Sequence, residues 1–167
     1  MSRLATPGAR RRAALSFLWT LLVMAIVVAL DQLSKAAVRK SIVPGETRGV
    51  LPGLQLVNTR NQGVAFGFLP GRHVAVTVLV GAALLVLVVY FVRHYDKPLI
   101  WLPTGMLLGG ALGNILDRLR AGSVTDFVKL PLGWPPFNLA DASITLGVLL
   151  LLFVIEGSPP QPEPAGR

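Results

Sequence analysis

The chain contains no cysteine. Disulfides, thiolate nucleophiles and cysteine-based metal sites are therefore excluded. Histidine is almost as scarce: His73 and His94 are the only two, too few for a histidine-rich metal site. Charge is sparse as well. Of 167 residues, 14% are charged and 53% hydrophobic, whereas roughly a quarter of a soluble domain is charged. Long runs carry no charge at all, which points to an integral membrane protein. The formal net charge of +8 comes from 16 Lys or Arg against 8 Asp or Glu. These basic residues flank apolar segments, so they suit anionic lipid headgroups rather than nucleic acid.

What is present in quantity is apolar sequence. Residues 1–13 form a basic arm that includes Arg10, Arg11 and Arg12, followed by ALSFLWTLLVMAIVVAL. That run exceeds a usual signal-peptide core and continues into DQLSK instead of a small-residue cleavage site, so it reads as a retained span. Spans are expected at about 14–34, 73–92, 99–116 and 138–156, making one four-helix membrane domain over 14–156. The Pro-rich tail, 157–167, reads as disordered. Between the first two spans, residues 36–72 are rich in turn signals, and VLPGLQLVNTRNQGVAFGF reads as short strands and turns. Strand pairs survive only outside hydrocarbon, so this loop is expected to form a small cap or cradle at the water interface. The expected fold is thus an all-α integral membrane protein, four transmembrane helices with a small β-containing loop between helices 1 and 2.

Four spans put both termini on one face. Lys and Arg divide seven against nine between the two faces, which does not settle the orientation; the dense arginine arm favours a cytoplasmic N-terminus. On that reading one face, the extracytoplasmic one, collects Asp31, Lys35, Asn61, Asn114, Asp117, Arg118, Asp126, Asn138 and Asp141. Asp31 and Lys35 are four apart, as are Asn114 and Arg118, so each pair shares a helix face. Asn138 and Asp141, three apart, do so if the helix has begun by Asn138. Bland explanations stand beside each of these. Asp31 with Lys35 makes a plausible structural ion pair, and Asp117 next to Arg118 could simply end a helix at the interface. Gly109, Gly110 and Gly113 would permit close helix packing whatever the function, and Trp19, Trp101 and Trp134 could be interface anchors.

Asp126 and Asp141 are harder to dismiss. TDFVKLPLGWPPFNLAD places two carboxylates fifteen residues apart with a Pro-rich turn between them. Such a turn can return the chain so that the first faces the start of the fourth span. Two carboxylates brought together do not easily both ionise: one keeps its proton while the other accepts one from water. A pair of this kind can hydrolyse an amide with neither metal nor nucleophilic side chain. Spacing alone does not establish that they meet.

The ordered blocks DQLSK (31–35), NQGVAFG (61–67), GGALGNILDR (109–118), TDF (125–127) and FNLADAS (137–143) resemble the bacterial lipoprotein signal peptidases, the type II signal peptidases. The resemblance runs from the first span to the fourth. It implies a multi-pass enzyme of the bacterial inner membrane, an aspartyl endopeptidase with both termini cytoplasmic and its site toward the extracytoplasmic face. Its catalytic pair falls on Asp126 and Asp141. Its supporting or substrate-binding polar residues fall on Asn61, Asn114, Arg118, Asn138, Asp31 and Lys35, with Gly63, Ala65, Gly110 and Ala140 in the small positions. The implied substrate is a diacylglyceryl-modified prolipoprotein, cut just before its lipid-bearing cysteine. Membrane phospholipids are the other expected partner; no metal, no cofactor, no nucleic acid and no obligate protein partner are expected. The arginine-rich arm and the PPQPEPAGR tail depart from the family pattern, far from its motifs.

Rivals come from other classes. A proton-coupled carrier would place acidic residues near the midplane of two helices and show an internal repeat; here they gather at one end and no repeat is found. A serine–lysine peptidase would use Ser34 and Lys35, yet adjacent helix residues point about 100° apart. A scaffold would have no need of a matched carboxylate pair ringed by amides.

Overall fold

The computed structural model describes residues 6–62, 73–131 and 133–156. The expected small positions Gly63 and Ala65 lie outside them. The order of elements is α1 (Pro7–Ser41), β1 (Thr47–Leu51), β2 (Leu54–Asn61), α2 (His73–His94), α3 (Trp101–Ala121), β3 (Val124–Lys129) and α4 (Leu139–Glu156). The fold is all-α with one small antiparallel sheet of order β1-β2-β3. Helices α1 and α4 are each long and apolar enough to cross a membrane.

Helix α1 is longer than the apolar run it contains. Thr6 caps its start, accepting from Ala9 N at 3.3 Å, and Pro7 fills the first turn, where its missing N–H costs nothing. Residues 7–13, expected as an arm, are therefore helical, and 36–41, expected as loop, complete the other end. Polarity along α1 is inverted relative to a soluble helix. Its buried positions include Ser16, Thr20, Asp31 and Lys35, while Leu18, Leu21, Leu22, Leu30 and Leu33 are exposed. Leu149, Leu152 and Phe153 on α4 and Leu85 and Val86 on α2 are exposed likewise. In water such a surface would be an aggregation hazard; against acyl chains it is the required one.

Helix α3 is the hub against which α1 and α4 pack, and its small residues make that possible. A side chain at Gly105 or Gly109 would collide with Val23 or Val27 of α1, one at Gly110 with the carbonyl of Ala140. A Cβ at Gly113 would stand 2.6 Å from Asp31 Oδ2. Glycine here is a matter of space, and the space is filled by the valines of α1, by backbone and by a carboxylate. At one end α1 meets its neighbours through rings: Phe17 lies edge-on to Phe91 of α2 at 4.9 Å, and Trp19 is 5.8 Å from Trp101 of α3.

The sheet draws on more sequence than the 36–72 loop. Helix α3 ends on Gly122, left-handed at φ 66°, whose N–H bonds Arg118 O, and the chain enters β3 at once. There VTDFVK pairs antiparallel with β2, Thr59 opposite Asp126 and Asn61 opposite Val124. The strand was not expected, since six residues with two charges give a weak strand signal; partner β2 and burial of Val124 and Phe127 supply what local preference lacks. Past β3 the Pro-rich turn brings Phe137 back beside Val128: Val128 N donates to Phe137 O at 2.8 Å and Phe137 N to Val128 O at 3.0 Å. The next residue is Asn138, and α4 starts after it.

Candidate active site

The start of α4 is a reciprocal cap. Asn138 stands just outside the helix rather than in it, and its Oδ1 accepts from Asp141 N at 3.0 Å while Asp141 Oδ2 accepts from Asn138 N at 3.3 Å. This is the geometry of a capping box, built here from an amide and a carboxylate. Asp141 is thereby fixed in the first turn, where a negative charge is favoured by the helix dipole. Its other oxygen, Oδ1, accepts from Asn114 Nδ2 of α3 at 2.8 Å.

Asp126 is held from two sides. Asn138 Nδ2 donates to its Oδ1 at 2.6 Å and Asn61 Nδ2, at the end of β2, to its Oδ2 at 3.0 Å. Its backbone carbonyl accepts from Thr59 Oγ1 at 3.0 Å. Asn138, fully buried, therefore contacts both aspartates, Asp126 through its amide nitrogen and Asp141 through its amide oxygen. The carboxyl of Asp126 is pushed up to about 6, first by burial and then by the neighbouring Asp141 carboxylate; the amides of Asn61 and Asn138 pull the other way. A buried acid that ionises near neutrality beside a second acid is equipped to exchange a proton with water.

Both carboxylates line one cavity of about 410 Å³. Asn61 and Thr145 contribute to the same wall, and the rest is apolar: chiefly Leu130, Trp134, Pro135, Pro136 and Phe137 from the turn and Leu146 from α4. Nothing in the sequence singled out Trp134 from the other tryptophans. Its position in the turn between the two aspartates is what brings it here.

The other expected residues sit behind the pair. Lys35 and Asp31 are completely buried and 2.8 Å apart. Lys35 Nζ also donates to Asn114 Oδ1 at 2.9 Å, which turns the Asn114 amide so that its nitrogen faces Asp141. Ala140 is buried with its N–H on Asp31 Oδ1, and Gly110 lets α4 approach at that point. Arg118 donates to Asn114 O at 3.4 Å and interacts electrostatically with Asp141, Asp126 and Asp117. Asp117, for which a helix-end role was equally open, is buried and bonded to Thr125 N, Gln32 and Lys35. Its spacing of three from Asn114 put it on the same helix face, the one sequence signal available. Gln32 had none beyond its place in DQLSK. The rival Ser34 donates to Asp31 O within its own helix and is engaged with neither Lys35 nor the cavity.

Comparison with known proteins gives concordant results. The signal peptidase (SPase) II family model matches residues 23–156. A lipoprotein signal peptidase of Syntrophomonas wolfei is 43% identical over 131 residues, covering 78% of this chain and 87% of that one. The lipoprotein signal peptidase of Moorella thermoacetica is 44% identical over 135 residues, with 78% and 88% covered. Among solved structures, a bacterial membrane enzyme superposes with a TM-score of 0.77 at 28% identity, over 86% of this chain and 94% of that one.

Proposed function

The chain belongs to the signal peptidase II family, and from that premise we propose that Asp126 and Asp141 are the pair that reacts. The protein is an aspartic-type endopeptidase of the membrane that cleaves the signal peptides of lipoproteins, and its substrates are diacylglyceryl-modified prolipoproteins. One observation carries the assignment of the pair: both carboxylates touch Asn138 and open on one cavity. In this reading the two share one proton. The ionised member takes a proton from water, the hydroxide adds to the carbonyl carbon ahead of the lipid-bearing cysteine, and the C–N bond breaks as the other carboxyl protonates the departing nitrogen. Asn61, Asn114 and Asn138 hold the carboxylates in place, and Arg118 lends positive potential. The apolar wall of Trp134, Pro135, Pro136 and Leu146 takes the residues that flank the cut bond.

The proposal includes four spans. Helices α2 and α3, at 22 and 21 residues, reach about 31–33 Å at 1.5 Å per residue, enough for the hydrocarbon layer. The arginine arm at the start of α1 favours cytoplasmic termini and an extracytoplasmic sheet and cavity. The domain is then 14–156, flanked by the arm and the tail.

The direct test is turnover of a lipid-modified prolipoprotein in detergent. Asp126→Asn and Asp141→Asn should each abolish cleavage while leaving a folded protein, and a chelator should leave the native enzyme unaffected. Either variant keeping more than about 1% of native turnover would remove the two-aspartate mechanism, since a proton-transfer group is worth roughly 10²–10⁴-fold.

A further inference from the structure

Lys35 lines no part of the cavity, yet it is linked to both halves of the pair. Its Nζ reaches two carboxylates, Asp31 Oδ2 at 2.8 Å and Asp117 Oδ2 at 3.3 Å, and neither lysine nor Asp31 is exposed at all. Each carboxylate in turn accepts a backbone N–H. Asp31 Oδ1 takes Ala140 N at 3.0 Å, and Asp117 Oδ2 takes Thr125 N at 3.1 Å. Ala140 directly precedes Asp141, and Thr125 directly precedes Asp126. One ammonium thus grips, through two carboxylates of similar reach, the residue ahead of each aspartate. Gln32 Nε2 ties the same carboxylates together at 3.2 Å each, and Arg39 Nη1 donates to Thr125 Oγ1 at 3.0 Å.

An ion pair whose task was to join α1 to α3 would need neither backbone contact. We propose that Lys35, Asp31 and Asp117 are positioning residues that set the separation between Asp126 and Asp141. This rests on the reading of those two as the reacting pair. Deleting the lysine's charge would leave Asp31 with no cation and Asp117 with only the half-exposed Arg39, whose Nη1 is 3.8 Å from its Oδ1; the remaining repulsion between the two buried carboxylates would act on β3 and on the start of α4 in opposite directions. The helices need not come apart, because α3 remains packed on α1 and α4 through its glycines.

The test uses Lys35→Met and the milder Asp117→Asn, which keeps an acceptor for Thr125 N but removes the charge. Turnover of a lipid-modified prolipoprotein is measured beside a distance readout. Spin labels on single cysteines at Arg60 in β2 and Val148 in α4, sites free of competing thiols in a cysteine-free chain, report the separation of sheet and helix. We expect kcat to fall about 10- to 100-fold with KM held within about twofold, as for a misplaced reacting group, together with a broadened or displaced label distance. Unchanged kcat, a rise in KM alone, or a label distribution that matches the native one in both position and width would each overturn the proposal. If Lys35→Met does not fold, Asp117→Asn decides alone. Asp126→Asn in the same assay tests the reacting pair separately: turnover there would sink that reading, while the label distances would still decide whether the lysine sets the spacing.

Discussion

At the scale of the residue, the proposed chemistry rests on one carboxyl kept from ionising easily. Asp126 goes from an ordinary 3.8 in the unfolded chain to about 6 in the folded one. The folded state therefore binds the proton more tightly, so the contribution to stability is complete below about 4 and is lost as pH rises through about 6. Melting temperatures in detergent should show it. Relative to native protein, Asp126→Asn should gain stability as pH rises from about 4 to about 7, because the variant has no charge to bury. A pH-independent difference between the two would mean that Asp126 titrates alike folded and unfolded. Asp126 is a candidate in the sequence from its place ahead of a Pro-rich turn, and the resemblance to the family narrows the choice to it. Its partners were less legible, because an amide is recognised as a support only once the acid it faces is known. Asn61 and Asn138 come from segments 77 residues apart, and no periodicity links them to Asp126.

At the scale of the element, two glycines in two helices should answer the same substitution with opposite signs. At Gly113 in α3 the incoming methyl meets Asp31 Oδ2 at 2.6 Å, and that oxygen is committed to Lys35. Gly113→Ala should cost about 1–3 kcal/mol. Gly81 in α2 has open space around it, and Gly81→Ala should be neutral or add about 0.5–1 kcal/mol through helix preference. Thermal unfolding of both variants in one detergent checks the pair; equal losses would mean that crowding around α3 does not limit the packing. Helices were the readable part of this fold because long uncharged runs announce themselves. Their ends were not. Thr6-Pro7 was a legible cap-and-proline start, but it lies in a stretch whose arginines suggested a free arm. Strand β3 was hidden for a different reason: its stability comes from β2, more than sixty residues earlier, and nonlocal pairing leaves little local trace.

At the scale of the whole molecule, the question is which face of the membrane carries the cavity. Single cysteines can be introduced without background. At the exposed positions Arg48 and Ala121 they should react with an impermeant thiol reagent in intact spheroplasts, while those at Arg11 and Asp96 should react only after permeabilisation. The reverse pattern would put both aspartates on the cytoplasmic side. The molecule also has to be made in order, and there the Asp31–Lys35 contact has a second effect. Helix α1 leaves the ribosome about 80 residues before Asn114 and Asp117 exist to receive its lysine. A lone charge costs about 2.5–3.5 kcal/mol at the centre of a helix entering the bilayer and less toward its end. Because the partner sits four residues away on the same helix, the two charges neutralise each other before any neighbour arrives, and the stretch of α1 between Arg12 and Arg39 leaves the translocon with no net charge. Its polar face then waits in lipid for α3, so the same contact that later steadies the site first serves as the helix's passport into the membrane.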